Sequence, residues 1–322
     1  MVKKLISVIV PVYNETLNID ELYERILGNF LSGTYDYEII YVDNCSTDDT
    51  VYKIKQLTKK DRNVRCIRMS RNFGGSQPSI IAGINNAQGD AIITIDGDLQ
   101  DPPEAMVEFI EKWEEGYQVV YGVRTKRQGP LVMRFGYKMF SMVFKNMAYI
   151  DFPLYTGDYG LIDRVVANEI NELEENDIVY RGLRAWVGFK QIGVGYTRYD
   201  RSKGVSSSNL IKNFRWAARW ICNYSEKPLQ WISNLAATLT FVSLLSIIYY
   251  VFSHFTRTDI PTGISTIVIL ILFFSAVQLL SLSILGTYIA LIVRETKGRP
   301  RYIIKEIINP APCSNDGGNE NE

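Results

Sequence analysis

The strongest constraint on this chain is where its charges are missing. It carries 35 basic and 35 acidic residues, yet between Pro228 and Val293 only Arg257 and Asp259 are charged. Two uncharged apolar runs fill that region. Trp231 to Phe252 has 22 residues, about 33 Å of helix. Ile264 to Val293 has 30, more than the roughly 20 that span a bilayer. Two buried core helices are the weaker alternative, because soluble cores rarely supply two such runs in succession. The short link over 254–263 predicts a two-helix transmembrane hairpin. The net charge of zero is thus a sum over two unlike regions. That balance also argues against an electrostatically driven nucleic-acid binder.

Basic flanks set the expected orientation. Lys212, Arg215, Arg219 and Lys227 precede the first run. Arg294, Lys297, Arg299, Arg301 and Lys305 follow the second. Both termini and the large N-terminal domain are therefore expected in the cytoplasm, on a multi-pass protein of the cell inner (plasma) membrane. Met1 to Pro11 reads as a strand running into a polar turn, not as a signal peptide. Cys45, Cys66, Cys222 and Cys313 lack paired or metal-type spacing, as suits a reducing compartment. Asn209 to Tyr224 alternates Leu210, Ile211, Phe214 and Ile221 with Lys212, Arg215 and Arg219. It is expected as an amphipathic helix in the membrane interface, with an ordinary surface helix as the alternative. The expected organisation is a cytosolic domain over 1–208, an interfacial helix over 209–227, membrane helices within 228–293 (about 231–252 and 264–293), and a C-terminal strand and disordered tail over 294–322.

Residues 5–123 alternate strand-like and helix-like segments. Strands are expected at Leu5–Val12, Tyr37–Val42, Val64–Met69, Ala91–Ile95 and Gln118–Gly122. Helices are expected at Asn18–Phe30, Asp48–Thr58, Gln77–Asn86 and Pro103–Glu114, the first with Asn18 as its candidate cap and the second begun by a Ser46–Asp49 capping pattern. Unbroken apolar strands separated by helices predict an α/β domain whose mostly parallel sheet is covered on both faces. Ligands of such sheets bind beyond the carboxyl ends of the strands. Pro300–Ile308 is a candidate extra strand.

Three polar turns fall at three such ends. Asp96-Gly97-Asp98-Leu99-Gln100-Asp101-Pro102-Pro103 follows an apolar strand. Its carboxylates at i and i+2 point to one side, Gly97 allows close approach, and hard oxygens suit Mg²⁺ or Mn²⁺ bridging phosphates. Pro11-Val12-Tyr13-Asn14-Glu15 and Asp43-Asn44-Cys45-Ser46-Thr47-Asp48 are each compatible with plain turns and helix caps. Together, with Asp43 available to accept from a base N–H, they suit a nucleoside diphosphate. Arg124 follows the fifth strand, and Arg127, Arg134 and Lys138 lie on the next stretch. Arginine grips phosphate with a rigid fork; a solvated or headgroup-facing surface is the alternative.

These strings, with Arg71-Asn72-Phe73-Gly74, Thr156-Gly157-Asp158-Tyr159 and the stretch from Arg181 to Phe189, resemble glycosyltransferase family 2. More narrowly, the chain resembles the polyisoprenyl-phosphate glycosyltransferases, which include undecaprenyl-phosphate glucosyltransferases and dolichyl-phosphate mannose synthases. The resemblance runs from about residue 5 to 300. It implies a GT-A (Rossmann-like) fold. It implies a nucleotide-sugar pocket of Pro11, Tyr13, Glu15, Asp43 and Asp96, and a divalent metal, Mg²⁺ or Mn²⁺, at Asp96, Asp98 and Gln100. It implies an acceptor lipid phosphate held by Arg124 and Arg134; Arg127, Lys138 and Arg201 complete the expected acceptor set. Asp98 and Asp158 are the expected catalytic pair, with loop support as the alternative role of Asp158. A homotetramer that exchanges Pro300–Ile308 is also implied. Two departures stand out. Gly160 occupies a place that is often Arg in the family. The segment Arg201 to Ser208 lacks the usual Lys and Tyr, with Lys203 as a candidate substitute.

The expected reaction moves one hexose, first of all glucose from UDP-glucose, to a polyprenyl phosphate such as undecaprenyl phosphate, with inversion. GDP-mannose as donor, a processive polysaccharide synthase, and a non-catalytic nucleotide-sugar scaffold are the competing readings. A Gln-x-x-Arg-Trp motif, typical of the processive synthases, is missing; Leu183-Arg184-Ala185-Trp186 does not supply it.

Overall fold

The computed structural model describes residues 3–125, 156–173, 175, 179–199, 225, 227–256 and 264–309. It divides into two compact units. One is formed by Met1–Phe135, Asp151–Ser207 and Arg299–Glu322, the other by Gly136–Ile150 and Ser208–Gly298. The expected interfacial helix over 209–227 lies almost wholly outside the described residues, as do Arg127, Arg134, Lys138, Arg201 and Lys203.

In the first unit the elements run β1 (Leu5–Val12), α1 (Ile19–Gly28), β2 (Asp36–Asp43), α2 (Thr50–Lys60), β3 (Val64–Met69), α3 (Gln77–Asn86) and β4 (Ala91–Thr94). A 3₁₀ turn (Pro103–Ala105) leads into α4 (Met106–Glu114). Then come β5 (Val119–Arg124), β6 (Thr156–Asp163), α5 (Arg164–Glu172), α6 (Tyr180–Trp186), β7 (Gln191–Tyr196) and, near the end of the chain, β8 (Ile304–Ile308). The sheet order is β7-β5-β6-β4-β1-β2-β3-β8. The β1–β2, β1–β4, β2–β3 and β5–β7 pairs are parallel; β4–β6, β5–β6 and β3–β8 are antiparallel. This is the GT-A-like α/β sheet that the resemblance implies, but more mixed than the apolar runs suggest. Inserting β6 between β4 and β5 reverses one strand, so both neighbours pair antiparallel to it.

Two apolar cores lie on opposite faces of the sheet. Ile6, Val8 and Val10 of β1 pack with Leu22 and Ile26 of α1, Ile54 of α2 and Phe109 of α4. Ile9 turns the other way, toward Ile80 and Ile84 of α3 and Val166 and Ile170 of α5. That alternation is the period-two rule of a strand buried on both faces. One polar network interrupts the apolar interior. Glu38 accepts from Ser7 Oγ and Gln88 N, both at 2.6 Å, and pairs with Arg65 Nη1 at 2.8 Å. Arg65 also donates to Asn86 O at 3.0 Å. These bonds offset part of the cost of burying the pair, although Arg65 Nε has no hydrogen-bond partner.

The helix caps differ from expectation. Asn18 precedes α1 but makes no side-chain cap; its Nδ2 donates to Glu15 Oε2 at 2.6 Å. The expected Ser46–Asp49 cap of α2 is replaced by Asp48, whose Oδ1 accepts from Thr50 N at 3.1 Å. That carboxylate also accepts from Thr16 Oγ1 at 2.5 Å, so it joins the first two turns.

The second unit contains α7 (Lys227–Thr256) and α8 (Ile264–Thr296). Both expected apolar runs are helical. Among the described residues one stretch, Phe273–Thr296, is long and apolar enough to cross a membrane. Phe241, Ile248, Ile267, Leu279 and Leu280 are all exposed. The hydroxyls of Thr238, Ser281 and Thr287 donate back to carbonyls one turn earlier, which satisfies them within their own helices.

Candidate active site

The chain leaves β1, β2 and β4 at the same end of the sheet, and the three polar turns meet there. The first two are tied to each other by bonds between backbone and side chain. Asn14 N donates to Ser46 Oγ at 3.0 Å, Thr47 N to Asn14 Oδ1 at 2.8 Å, and Glu15 N to Thr50 Oγ1 at 2.9 Å. Asn14 and Cys45 adopt left-handed backbone with φ of 56° and 65°, which reverses the chain tightly at each strand end. Asn44 staples the next turn. It donates to Gly75 O at 3.0 Å and accepts from Phe73 N at 3.0 Å.

These turns enclose a cleft of about 250 Å³. Pro11, Tyr13 and Glu15 border it from the first turn, Asn44, Asn72, Gly75, Ser76 and Ser79 from β2 and the approach to α3, and Asp96, Gly97 and Asp98 from β4. Gly97 has a steric reason: a Cβ there would lie 2.9 Å from Val12 Cγ1 and 3.1 Å from Pro11 O. Only glycine lets the acidic turn pass this close to the end of β1.

Five of the expected residues (Pro11, Tyr13, Glu15, Asp96 and Asp98) therefore share one cleft. Asp43 and Gln100 do not border it. Asp43 is fully buried; its Oδ1 accepts from Ser46 N at 2.9 Å, while Oδ2 has no hydrogen bond and lies 3.8 Å from Arg68 Nε. Gln100 turns its amide oxygen to Arg198 Nη2 at 2.8 Å. Arg124 lies against Gly157, where a Cβ would sit 2.7 Å from Nη2, and donates to Tyr196 Oη at 3.3 Å.

The acidic residues are crowded. Burial, then the carboxylates of Asp158, Asp101 and Asp98, push the Asp96 carboxyl up to about 7. A divalent cation would relieve that crowding, so the donor set fits one. Among the described residues no group of three or more His, Cys, Asp or Glu side chains is placed to hold a metal ion. Two carboxylates with the rest of the shell supplied by phosphate and water is the usual arrangement for Mg²⁺.

Asp158, on β6, is held from three sides. Its Oδ2 accepts from Gln77 Nε2 at 2.7 Å, its Oδ1 lies 3.9 Å from Arg181 Nε, and its carbonyl accepts from Thr94 Oγ1. Tyr180 N donates to Gln77 Oε1 at 2.7 Å. That obligatory donor fixes which end of the Gln77 amide faces Asp158. Arg184 is buried, donates to Gly157 O at 3.2 Å, and its Nη1 lies 3.0 Å from where a Gly160 Cβ would stand. A cation therefore occupies the neighbourhood of Gly160, although position 160 itself supplies none.

Gln77, Arg184 and Arg198 were not expected at the site. No local pattern marks Gln77 or Arg198, whose partners lie 81 and 98 positions away. Arg184 sits inside the Arg181–Phe189 string and had that signal alone.

Residues 7–170 match the profile of glycosyl transferase family 2. An uncharacterized glycosyltransferase of Bacillus subtilis (strain 168) is 39% identical over 301 residues, 93% of each chain. A prophage-derived bactoprenol glucosyl transferase of Shigella flexneri is 32% identical over 303 residues, 94% of this chain and 97% of that relative. A mannosyltransferase of Pyrobaculum calidifontis, solved with GDP-Man and Mn²⁺, is 15% identical, covers 92% of this chain and 88% of that one, and superposes with a TM-score of 0.46.

Proposed function

The chain belongs to glycosyltransferase family 2, and from that premise we propose that it transfers a single hexose from a nucleoside diphosphate sugar to a polyprenyl phosphate at the cytoplasmic face of a membrane. The observation that carries this reading is the meeting of Pro11, Tyr13, Glu15, Asp96 and Asp98 around one cleft, in a chain that also bears long apolar helices. Glucose from UDP-glucose is the preferred donor, supported by the bactoprenol glucosyl transferases that align over nearly the whole chain.

In this reading Tyr13 and Glu15 border the nucleotide, with Asp43 beneath their turn. Asp96 and Asp98 would hold Mg²⁺ or Mn²⁺, which supplies charge neutralisation on the departing diphosphate. The acceptor oxygen belongs to a phosphate that is already anionic near neutral pH. Little general-base help is then needed, and positioning dominates. Asp158 orients the acceptor or takes a residual proton. The Gln77 amide holds it as a hydrogen-bond acceptor. Arg124, with Arg127, Arg134, Lys138 and Arg201, would receive the acceptor phosphate. Attack opposite the leaving group inverts the anomeric centre.

The apolar helices have a physical role here. An isoprenoid tail leaves the bilayer only at about 0.8 kcal/mol per CH₂, so the enzyme must come to the lipid. Two crossings by α7 and α8, both termini cytoplasmic, and division of the chain at about 208, 227 and 293 complete the proposal. A homo-oligomer is part of it.

The test is to incubate membranes containing the protein with labelled UDP- and GDP-sugars and extract the lipids. One labelled glucose per lipid, lost in Asp98→Asn, is expected. Label from GDP-mannose alone would shift the reading to a mannose synthase, and a polymer to a processive synthase. Bound donor with no labelled lipid would leave a scaffold.

A further inference from the structure

The segment leaving β7 is bonded to the acidic turn along its length. Tyr196 Oη donates to Asp101 Oδ1 at 2.7 Å. Tyr199 N donates to Gln100 O at 2.9 Å, and Gln100 Nε2 returns to Tyr199 O at 3.4 Å. Between these bonds sits Arg198. Its Nη2 lies 2.8 Å from Gln100 Oε1 and 3.9 Å from Asp98 Oδ2, and its Nε 3.5 Å from Asp101 Oδ1. One guanidinium thus faces three oxygen-bearing side chains of a single turn, Asp98, Gln100 and Asp101.

Of those three, Asp98 is a residue that the proposed function gives to a divalent cation, and Gln100 is the further metal ligand that the family resemblance implies. A divalent ion approaching Gln100 Oε1 meets a guanidinium already bonded to that oxygen at 2.8 Å, and the two positive charges repel. Asp98 Oδ1 accepts from Gln100 N at 3.2 Å, and Oδ2 is the oxygen that faces Arg198. Arginine does not lose its proton in proteins, so the contest cannot be settled by titrating the arginine. Arg198 is about a quarter exposed and Asp98 about an eighth. The pair is neither screened like a surface bridge nor locked like a core one.

We propose that Arg198 is a built-in counter-cation that competes with the divalent metal for Asp98 and Gln100, and so weakens metal binding and makes it depend on where the segment after β7 lies. This rests on the metal assignment of the proposed function. It makes Arg198 a positioning residue. A divalent ion at Gln100 Oε1 opposes the guanidinium bond there, one of the contacts by which residues 198–199 meet the turn.

The experiment is a Mn²⁺ titration of the full-length protein in detergent, with Mn²⁺ alone as probe and free ion followed by electron paramagnetic resonance. Arg198→Gln should tighten Mn²⁺ binding about tenfold, the scale of one charge removed a few ångströms away in a partly solvated cleft. Arg198→Leu should do the same, and either suffices if the other fails to fold. Arg198→Lys, which keeps the charge, should stay close to wild type. Unchanged or weaker binding in Arg198→Gln or Arg198→Leu, with wild-type binding intact and lost in Asp98→Asn, overturns the competition and leaves the metal assignment standing. Mn²⁺ bound equally by wild type and Asp98→Asn, or by no variant at all, overturns the metal assignment and the competition together.

Discussion

Replacing Asp96 by Asn should make the protein more stable while making it inactive, and the sign follows from the crowding of carboxylates. An aspartate that ordinarily titrates near 3.8 is pushed up to about 7 by burial and by Asp158, Asp101 and Asp98. Folding therefore favours the protonated form. Below the ordinary value the group costs nothing. The cost grows as pH rises through that value and is complete above the folded one. The interval between 3.8 and about 7 corresponds to about 4 kcal/mol at most. Asp96 borders an open cleft, so screening reduces this to about 1–2 kcal/mol. Asparagine keeps the shape and removes the charge. In EDTA at pH 8, Asp96→Asn should melt about 3–6 °C above wild type by differential scanning fluorimetry. The gap should close as pH falls toward 4.5. With saturating Mn²⁺ it should narrow or reverse, because the wild type alone gains a full carboxylate ligand. A melting temperature at pH 8 in EDTA equal to or below wild type would refute the electrostatic account.

Other consequences are as direct. Gln77→Leu should lower kcat about tenfold or more with little change in the donor KM, because it frees Asp158 without touching the cleft lining; steady-state kinetics on labelled lipid product separates the two. Gly97→Ala should cost about a hundredfold in activity, since its Cβ would press on Val12 and Pro11 O and displace both carboxylates; a melting curve close to wild type distinguishes this from unfolding. Arg65→Met should destabilise by about 3–5 kcal/mol, read from urea unfolding in detergent, because Glu38 stays buried without its cation. Truncation before Ile304 exposes the edge of β3 and should raise aggregation in light scattering.

Much of the fold was legible because its signals are local. Leu5–Val12, Val64–Met69 and Gln77–Asn86 match the expected spans, since unbroken apolar runs and helical periodicity depend on near neighbours. The strand β6 was not expected as an element, although its opening residues were singled out. Its direction is set by its place between β4 and β5, which involves partners about 40 and 70 positions distant. The helix caps failed for a similar reason. Asp48 is drawn to Thr16 as well as to its own helix, a choice no local rule contains. Asp43 was expected to face a ligand directly. The packing of Arg68 and the turn at Ser46 put it below the cleft surface instead.

By itself, the sequence determined the elements, the apolar region with its basic flanks, and the carboxylates at the strand ends. Each rests on periodicity, composition or spacing within a dozen residues. Only the tertiary structure decided which of those residues share a cleft and who answers the charge of each carboxylate. Gln77 meets Asp158, Arg184 lies beside Gly160, and Arg198 reaches Asp98 and Gln100 because the sheet order folds distant stretches together. Charge interactions act through space and are indifferent to chain separation, so the electrostatics of this site exist only once the strands are in register.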